Sequence, residues 1–193
     1  MAGLFETAGE GAAAIALDEV EASILRSLEV QMLELIGPGP GPGGVGDDPL
    51  AALFAEGPSE APADPALARL FPDAYGEPGE PADTETRAMA GEFRRYTELD
   101  LRARKREDAL SVVRALDGLG GDGGVLTVPA ADCPRWLGAL NDLRLTLGSR
   151  LDVTEDDEEG LYALPDSDPR KPLVMAYLWL GGMQESLLEA MAG

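Results

Sequence analysis

The sequence predicts a mainly α-helical protein, a helical bundle of about four main helices with a small N-terminal β-hairpin or short extended segments. Three observations predict this class. Apolar residues recur at helical spacing through four long stretches, clusters of Gly and Pro separate these stretches, and the length of 193 residues suits one domain. We therefore interpret residues 1–193 as a single helical domain with a flexible Pro- and Gly-rich insert at about 37–63.

The N-terminal part contains two short extended candidates, residues 3–6 and 12–17, on either side of a Gly-rich turn. This pattern predicts a small hairpin. Asp18 then predicts a helix N-cap, and we expect a helix over residues 18–36 that ends at Gly37-Pro38. The expected inward stripe of this helix consists of Val20, Ile24, Leu28, Met32 and Leu35.

The insert is recognised by its composition. Alternating Pro and Gly in residues 37–47 predict a flexible loop, because proline removes a backbone donor and glycine raises backbone entropy. Residues 48–55 are a candidate short helix, and residues 57–64 form a second connector rich in Pro and Ala.

A short helical turn is predicted at residues 65–71, with Asp64 as its cap and Pro65 at its first position. The LFPDAY segment ends this turn. Its two aromatic residues, Phe71 and Tyr75, are predicted core anchors that hold the preceding linker onto the helices.

A long helix is predicted from Asp83 or Thr84 to about Leu116. Its expected inward stripe contains Met89, Phe93, Tyr96, Ala103, Leu110 and Val113, with Leu99 beside it, and Phe93 is a predicted core anchor. Basic residues cluster on the same helix, namely Arg94, Arg95, Arg102, Arg104, Lys105 and Arg106. Because acidic residues are interleaved at salt-bridge spacing, we expect a solvated or internally paired face rather than a nucleic-acid patch.

The stretch from Trp136 to Leu151 is predicted to be the central helix, because its apolar residues cover more than one side, and Trp136 is its core anchor. Four polar residues interrupt this apolar surface: Asn141, Asp142, Arg144 and Arg150. A polar group removed from water costs free energy unless it is paired. We expect these four to form a structural network at the edge of the core, and a partner or ligand site is the alternative.

The remaining segments are predicted as follows. Residues 125–128 form a short strand or extended lead-in, and Cys133 is a buried or incidental thiol rather than a nucleophile. The acidic run at 155–159 lacks the alternating ligands of a calcium loop and is interpreted as a solvated turn. The final helix contains the core anchor Trp179, and its Gly181-Gly182 pair predicts a closely crossing helix or a kink.

Composition excludes several function classes. The chain has no histidine, which removes Ser-His-Asp and Cys-His catalysis and histidine-based metal sites, so we expect no cofactor and no metal. The net charge of −21 disfavours nucleic acid and anionic membranes as partners. A single cysteine permits no internal disulfide and suits a reducing compartment. The longest apolar run, residues 173–183, is too short to span a bilayer, so we expect a cytoplasmic protein.

Four segments together resemble a known family: LFPDAY at 70–75, EFRRYTELDLRARK at 92–105, WLGALNDLRLTLGSRL at 136–151 and YLWLGGMQESLL at 177–188. In this order they are similar to an uncharacterised actinobacterial family, the domain of unknown function numbered two thousand and seventeen. The resemblance implies a cytoplasmic protein without established activity. It also implies a gene often located beside the adaptor of the Clp protease and genes of sulfur-carrier and cysteine biosynthesis. Some members carry a transcription-regulator label, and no catalytic residues carry over.

We therefore expect a non-enzymatic interaction or regulatory protein that works through a protein partner. The expected contact surfaces are the exposed part of the 136–151 helix and the charged long helix, and a homodimer through helix faces stays open. The first alternative is a DNA-binding regulator that uses residues 125–151 as a degenerate helix-turn-helix. The second is an enzyme or small-molecule binder with Asn141, Asp142 and Arg144 around a pocket.

Overall fold

A computed structural model describes residues 3–38, 56–76, 82–120, 122–153 and 164–193. Its elements, in chain order, are β1 (Phe5–Gly9), β2 (Ala12–Leu17), α1 (Glu19–Ile36), α2 (Pro65–Leu70), α3 (Thr84–Asp117), β3 (Gly124–Val128), α4 (Cys133–Arg150) and α5 (Lys171–Ala192). The mainly α prediction is confirmed, and so is the N-terminal hairpin. Most of the predicted insert, including the candidate helix at 48–55, and the acidic run at 155–159 lie outside the described residues.

The hairpin forms part of a three-stranded antiparallel sheet of order β1-β2-β3. Strand β2 pairs with β3 in a register that places Ala13 opposite Val128 and Ile15 opposite Leu126. Along β2, Ala13, Ile15 and Leu17 alternate with more exposed residues, as expected for a sheet with one face on the core. The short strand predicted at 125–128 is therefore confirmed, and it forms the third strand of the sheet.

Helix α1 begins with the predicted cap. Asp18 accepts a hydrogen bond from the Glu21 backbone N–H while the Glu21 side chain accepts one from the Asp18 backbone, which is a complete capping box. The predicted inward stripe is partly wrong, because Val20 and Ile24 are 63% and 44% exposed. The face that enters the core consists of Ala22, Leu25, Glu29, Met32 and Ile36. Because Glu29 occupies the centre of this buried face, apolar spacing alone does not mark the side of α1 that enters the core.

Helix α3 departs from its prediction in the same way. In its first half the apolar side chains Met89, Phe93 and Tyr96 lie outside, while the buried positions are one or two residues further along the chain, at Ala90, Arg94 and Glu98. In the second half Ala109, Val112, Val113 and Leu116 are buried, so Val113 agrees with the predicted stripe, while Ala103 and Leu110 are only half-buried. The difference arises because two buried residues of the first half are charged and are stabilised by pairing rather than by apolar contact.

Helix α4 is the central element. It contacts α1, α2, α3 and α5, and its buried side chains include Trp136, Leu140, Leu143 and Leu147. Phe5 of β1 meets the Trp136 indole edge-to-face, with ring centroids 5.8 Å apart, so the sheet packs on the same helix.

The five predicted core anchors divide into two groups. Phe71 and Trp136 are fully buried, and Trp179 is partly buried against the core with its indole N–H directed at the Gly3 carbonyl at 3.4 Å. Tyr75 and Phe93 lie on the surface, with exposures of 44% and 46%, so their assignment to the core is wrong. Phe93 lies on the outer side of α3 because Arg94 occupies the buried side, and Tyr75 packs against Phe93 there.

The Gly181-Gly182 pair lies inside one continuous helix, α5. A Cβ atom at Gly182 would lie 3.3 Å from Leu4, and one at Gly181 would lie 3.6 Å from the Arg144 guanidinium. The tight contact at Gly182 is thus made by a side chain and the contact at Gly181 is an ordinary one, so no described backbone crosses closely at this pair as the prediction required. Within the described ranges, no helix is both long and apolar enough to cross a bilayer.

Candidate functional site

The four polar residues of α4 do not form one network. Successive residues point about 100° apart around a helix, so neighbours in sequence face different partners. Asp142 is buried towards α3, whereas Asn141 and Arg144 face α2 and α5. Arg150 is exposed and pairs with Asp64, the N-cap of α2, at 2.9 Å. The predicted group is thus distributed over three places.

Asp142 belongs to a group of charged residues between α3 and α4. Its carboxylate accepts a hydrogen bond from Lys105 Nζ at 2.6 Å. Burial raises the pKa of Asp142, and Lys105 opposes that rise. Burial also raises the pKa of Asp108, which approaches α4 where Gly138 leaves room: a Cβ there would lie 3.1 Å from the Asp108 carboxylate. The glycine therefore allows the two helices to meet at an acidic side chain.

Glu29 adds a third carboxyl group to this region and was not singled out from the sequence. Its side chain is completely buried, and neither carboxyl oxygen has a hydrogen-bond partner among the described residues. Burial, together with the negative charges of Asp142 and Asp108, raises the pKa of Glu29 to about 8. The sequence signal was present, because Glu29 occupies the core position between Leu25 and Met32, but a search for apolar periodicity discards it.

The arginines of α3 have structural partners. Arg94 donates to Glu98, to the Phe71 carbonyl at 2.9 Å and to Asp73 at 2.8 Å. Arg102 donates to Glu98 at 2.8 Å and to the Ile36 carbonyl at 2.7 Å, and its guanidinium lies 4.3 Å from the centre of the Phe71 ring. These bonds fasten the C-terminus of α1 and the segment after α2 to α3.

Arg106 completes this attachment by donating to the carbonyls of Leu33, at 3.1 Å, and Gly37. The last carbonyls of a helix lack partners within the helix and attract cations. The predicted internally paired face is therefore confirmed for these residues, although Arg94 and Glu98 pair in the core and not in solvent.

An open cleft of about 850 Å³ lies between α2, α4 and α5. Its apolar lining comes from Pro65, Ala68, Pro72, Leu145 and Val153, and its polar lining from Arg69, Asn141, Arg144, Ser149, Asp152 and Tyr177, with Gly148 between the two. Three of the four segments that carry the family resemblance contribute to it. We call it the α2–α4–α5 cleft. Of the predicted pocket residues, it brings together Asn141 and Arg144 and leaves Asp142 on another side of α4.

Arg144 is the best-defined group in this cleft. Its guanidinium lies 5.1 Å from the centre of the Tyr177 ring, and its Nη1 donates to Gln184 Oε1 at 3.4 Å. Gln184 in turn donates to Asn141 at 3.5 Å. Gly148 allows this arrangement, because a Cβ atom there would lie only 3.3 Å from the Tyr177 ring.

A second surface feature consists of large side chains on the outer side of α3. Tyr75, Met89, Phe93 and Tyr96 are all between 43% and 65% exposed. Tyr75 meets Phe93 edge-to-face, with ring centroids 6.0 Å apart. We call these four residues the aromatic surface. Sequence periodicity found three of them and assigned them to the interior.

Cys133 is buried at the start of α4, as predicted, and its thiol points at the Pro129 carbonyl at 3.4 Å. Burial raises the pKa of this thiol, so the helix N-terminus does not activate it. Across the described ranges, no three acidic or cysteine side chains come together in a way that would hold a metal ion.

Residues 125–151 do not form a helix-turn-helix. They comprise most of β3, a turn and α4, and α4 is covered by four other helices. A recognition helix must present one face to the major groove. This stretch therefore offers no such helix.

The chain belongs to the family described as Domain of unknown function (DUF2017), whose family model matches residues 1–191. It is also similar to the protein named oxidative stress regulator AosR from Mycobacterium tuberculosis and from Mycobacterium bovis. The identity is 32% over 143 residues, which cover 71% of this chain and 62% of each relative. A protein named putative oxidative stress regulator AosR from Mycobacterium leprae is 31% identical over 140 residues, or 70% of this chain and 62% of the relative. The chain thus spans less than two thirds of the length of these relatives, and no solved structure matches it.

Proposed function

We propose that this protein is a non-enzymatic regulator that acts by binding another protein through the aromatic surface. The observation that carries the proposal is the exposure of four large, adjacent side chains on one side of α3. Aromatic residues and methionine are enriched at protein interfaces, and contiguous exposed patches of them are uncommon on surfaces that face only solvent.

The aromatic surface is held in a fixed arrangement. Arg94, on the inner side of α3, bonds to the Phe71 carbonyl and to Asp73, and thereby keeps the segment before Tyr75 against the helix. Tyr75 can then rest on Phe93. Side chains that are already ordered lose less entropy on binding, so the arrangement favours association.

The proposed process is the response to oxidative stress, by similarity to the relatives named AosR. In this chain we do not assign the sensing step to Cys133, because its buried thiol has a raised pKa and the sequence offers no second cysteine. We therefore infer that the protein transmits a signal through contacts. The single cysteine also supports a cytoplasmic location, which we propose on that ground.

A photo-crosslinking amino acid at Tyr96 tests the proposal in the native cells. Val125 provides the matched control, since it is 70% exposed on β3 and lies outside the aromatic surface. We expect one discrete crosslinked protein from position 96, identified by mass spectrometry, and none from position 125.

Two outcomes would contradict the proposal. Equal crosslinking at both positions would show non-specific capture. A product of twice the mass of the chain, together with a dimer in light scattering, would replace the protein partner by a second copy of the chain.

A further inference from the structure

We propose that the α2–α4–α5 cleft binds a small organic anion, with Arg69 and Arg144 contacting its carboxylate or phosphate group and the apolar wall covering the remainder. The proposal does not depend on the aromatic surface, which lies on α3 and shares no residue with the cleft.

The charges in the cleft differ from those of the molecule as a whole. The chain has a net charge of −21, with 36 acidic and 15 basic residues. Within the described part of the chain, neither Arg69 nor Arg144 lies within ion-pair distance of a carboxylate, although Asp152 also lines the cleft. Two arginines without an acidic partner among the described residues, in so acidic a protein, create a local site for an anion.

Arg144 is oriented but has hydrogen-bonding capacity left. A guanidinium carries five N–H donors, and the structure shows one of them in use, in the long bond to Gln184. The guanidinium lies 5.1 Å from the centre of the Tyr177 ring and packs beside Gly181 of α5, so α4 and α5 together hold it at the cleft. A planar, oriented guanidinium can bind a carboxylate or phosphate with two parallel hydrogen bonds.

The shape and lining of the cleft define the class of ligand. Its volume of about 850 Å³ is in the range of sites for small molecules, which runs to roughly 1,000 Å³. Ala68, Leu145 and Val153 contribute apolar lining, while Ser149 and Asn141 contribute a hydroxyl and an amide to the same cleft as Arg144. This combination suits a molecule with one anionic end and an apolar body. It does not suit a nucleic acid, whose many phosphates the acidic surface would repel.

The test uses inorganic phosphate and citrate as probes in ¹⁵N-labelled protein at low ionic strength. We expect saturable shifts of backbone amide signals in residues 141–149 and at Tyr177, and tighter binding of one probe will separate a phosphoryl from a carboxylate ligand. Arg144→Gln and Arg69→Gln should each weaken binding about tenfold, as expected for the loss of a charge-assisted hydrogen bond. Because Arg69 is exposed, its replacement tests the site even if the Arg144 variant fails to fold.

Arg26→Gln is the matched control, since it removes the same charge from an arginine of α1 that pairs with Asp117 outside the cleft. It should leave probe affinity within about twofold of the wild type. The proposal is overturned if neither probe gives saturable shifts at the cleft, or if Arg26→Gln weakens binding as much as Arg69→Gln does.

Discussion

Glu29 shows how one buried side chain makes folding stability depend on pH. Its folded-state pKa of about 8 lies above the ordinary value of 4.5, so the folded protein keeps a proton that the unfolded chain releases. The free energy of unfolding therefore falls as pH rises from about 4.5 to about 8 and is lowest above that range. The total loss from this group is at most roughly 5 kcal/mol, because each pKa unit corresponds to about 1.4 kcal/mol.

Glu29→Gln should abolish this contribution, since glutamine does not ionise. We expect the variant to be more stable than the wild type at about pH 9, by on the order of 2 kcal/mol, with a flatter dependence of stability on pH. Urea unfolding across about pH 6 to 9 measures both quantities. Glu34→Gln, an exposed substitution on the same helix, is the control and should keep the wild-type slope. Parallel profiles for wild type and Glu29→Gln would contradict the assignment.

At the scale of elements, α3 acts as a clamp on two other segments. Arg102 joins the Glu98 carboxylate, the C-terminal carbonyl of α1 and the Phe71 ring. Removal of the Arg102 side chain would leave the buried Glu98 carboxylate with fewer donors, and the C-terminal end of α1 would lose a donor as well. Such losses cost more than the loss of a pair on the surface, where water replaces the partner.

Arg102→Gln should therefore lower the free energy of unfolding by about 2–4 kcal/mol. Arg95→Gln makes the same substitution on the same helix, but Arg95 is 41% exposed and reaches Glu56 only at 3.6 Å. We expect its effect to be about 0.5 kcal/mol or less. Denaturant unfolding compares the two variants, and equal losses would show that the clamp does not contribute to stability.

Two helical glycines should respond in opposite ways to the same substitution. A Cβ at Gly91 on α3 would lie 2.7 Å from the Ser59 carbonyl oxygen, whereas one at Gly181 on α5 would make ordinary contacts with Arg144. Gly91→Ala should destabilise by about 1–3 kcal/mol through overpacking. Gly181→Ala should stabilise by up to about 1 kcal/mol through helix propensity. Melting temperatures measure both, and a gain at Gly91 would show that the segment containing Ser59 is not fixed on α3.

The helix boundaries could be predicted because their causes are local. Asp18 and Asp64 cap α1 and α2 as expected, since a side chain and the N–H groups it accepts are only two or three residues apart. The inward faces of α1 and α3 could not be predicted from apolar spacing alone. Glu29, Arg94 and Glu98 are buried by tertiary partners, and a search for apolar residues counts each of them as outward-facing.

For the molecule as a whole, folding concentrates a charge of −21 in a smaller volume. Salt screens this repulsion, while the few exposed ion pairs lose little. The melting temperature should therefore rise by about 2–5 °C between low and physiological ionic strength in sodium chloride. A fall in melting temperature over that range would mean that ion pairs such as Arg26–Asp117 outweigh the general repulsion.

The candidate site is assembled from helices that are distant in sequence. Asn141 and Arg144 were identified, but Arg69 and Tyr177 come from other helices and meet them only in the folded chain. Asp142 was grouped with them because it is next in sequence, yet it faces Lys105 on another side of α4. Side-chain type could be recognised from the sequence, but the assembly of the cleft required the packing of three helices.

The pairing of β2 with β3 also constrains the order of events on the ribosome. Ala13 meets Val128, Phe5 rests on Trp136, and the backbone N–H of Phe5 donates to Ser186 near the end of the chain. At about 5–20 residues per second, the first strands wait on the order of ten seconds or more for these partners to be synthesised. Until then the apolar side chains of β1 and β2 are not buried against these partners. The nascent chain is thus most exposed to aggregation and to chaperones before its last helix emerges.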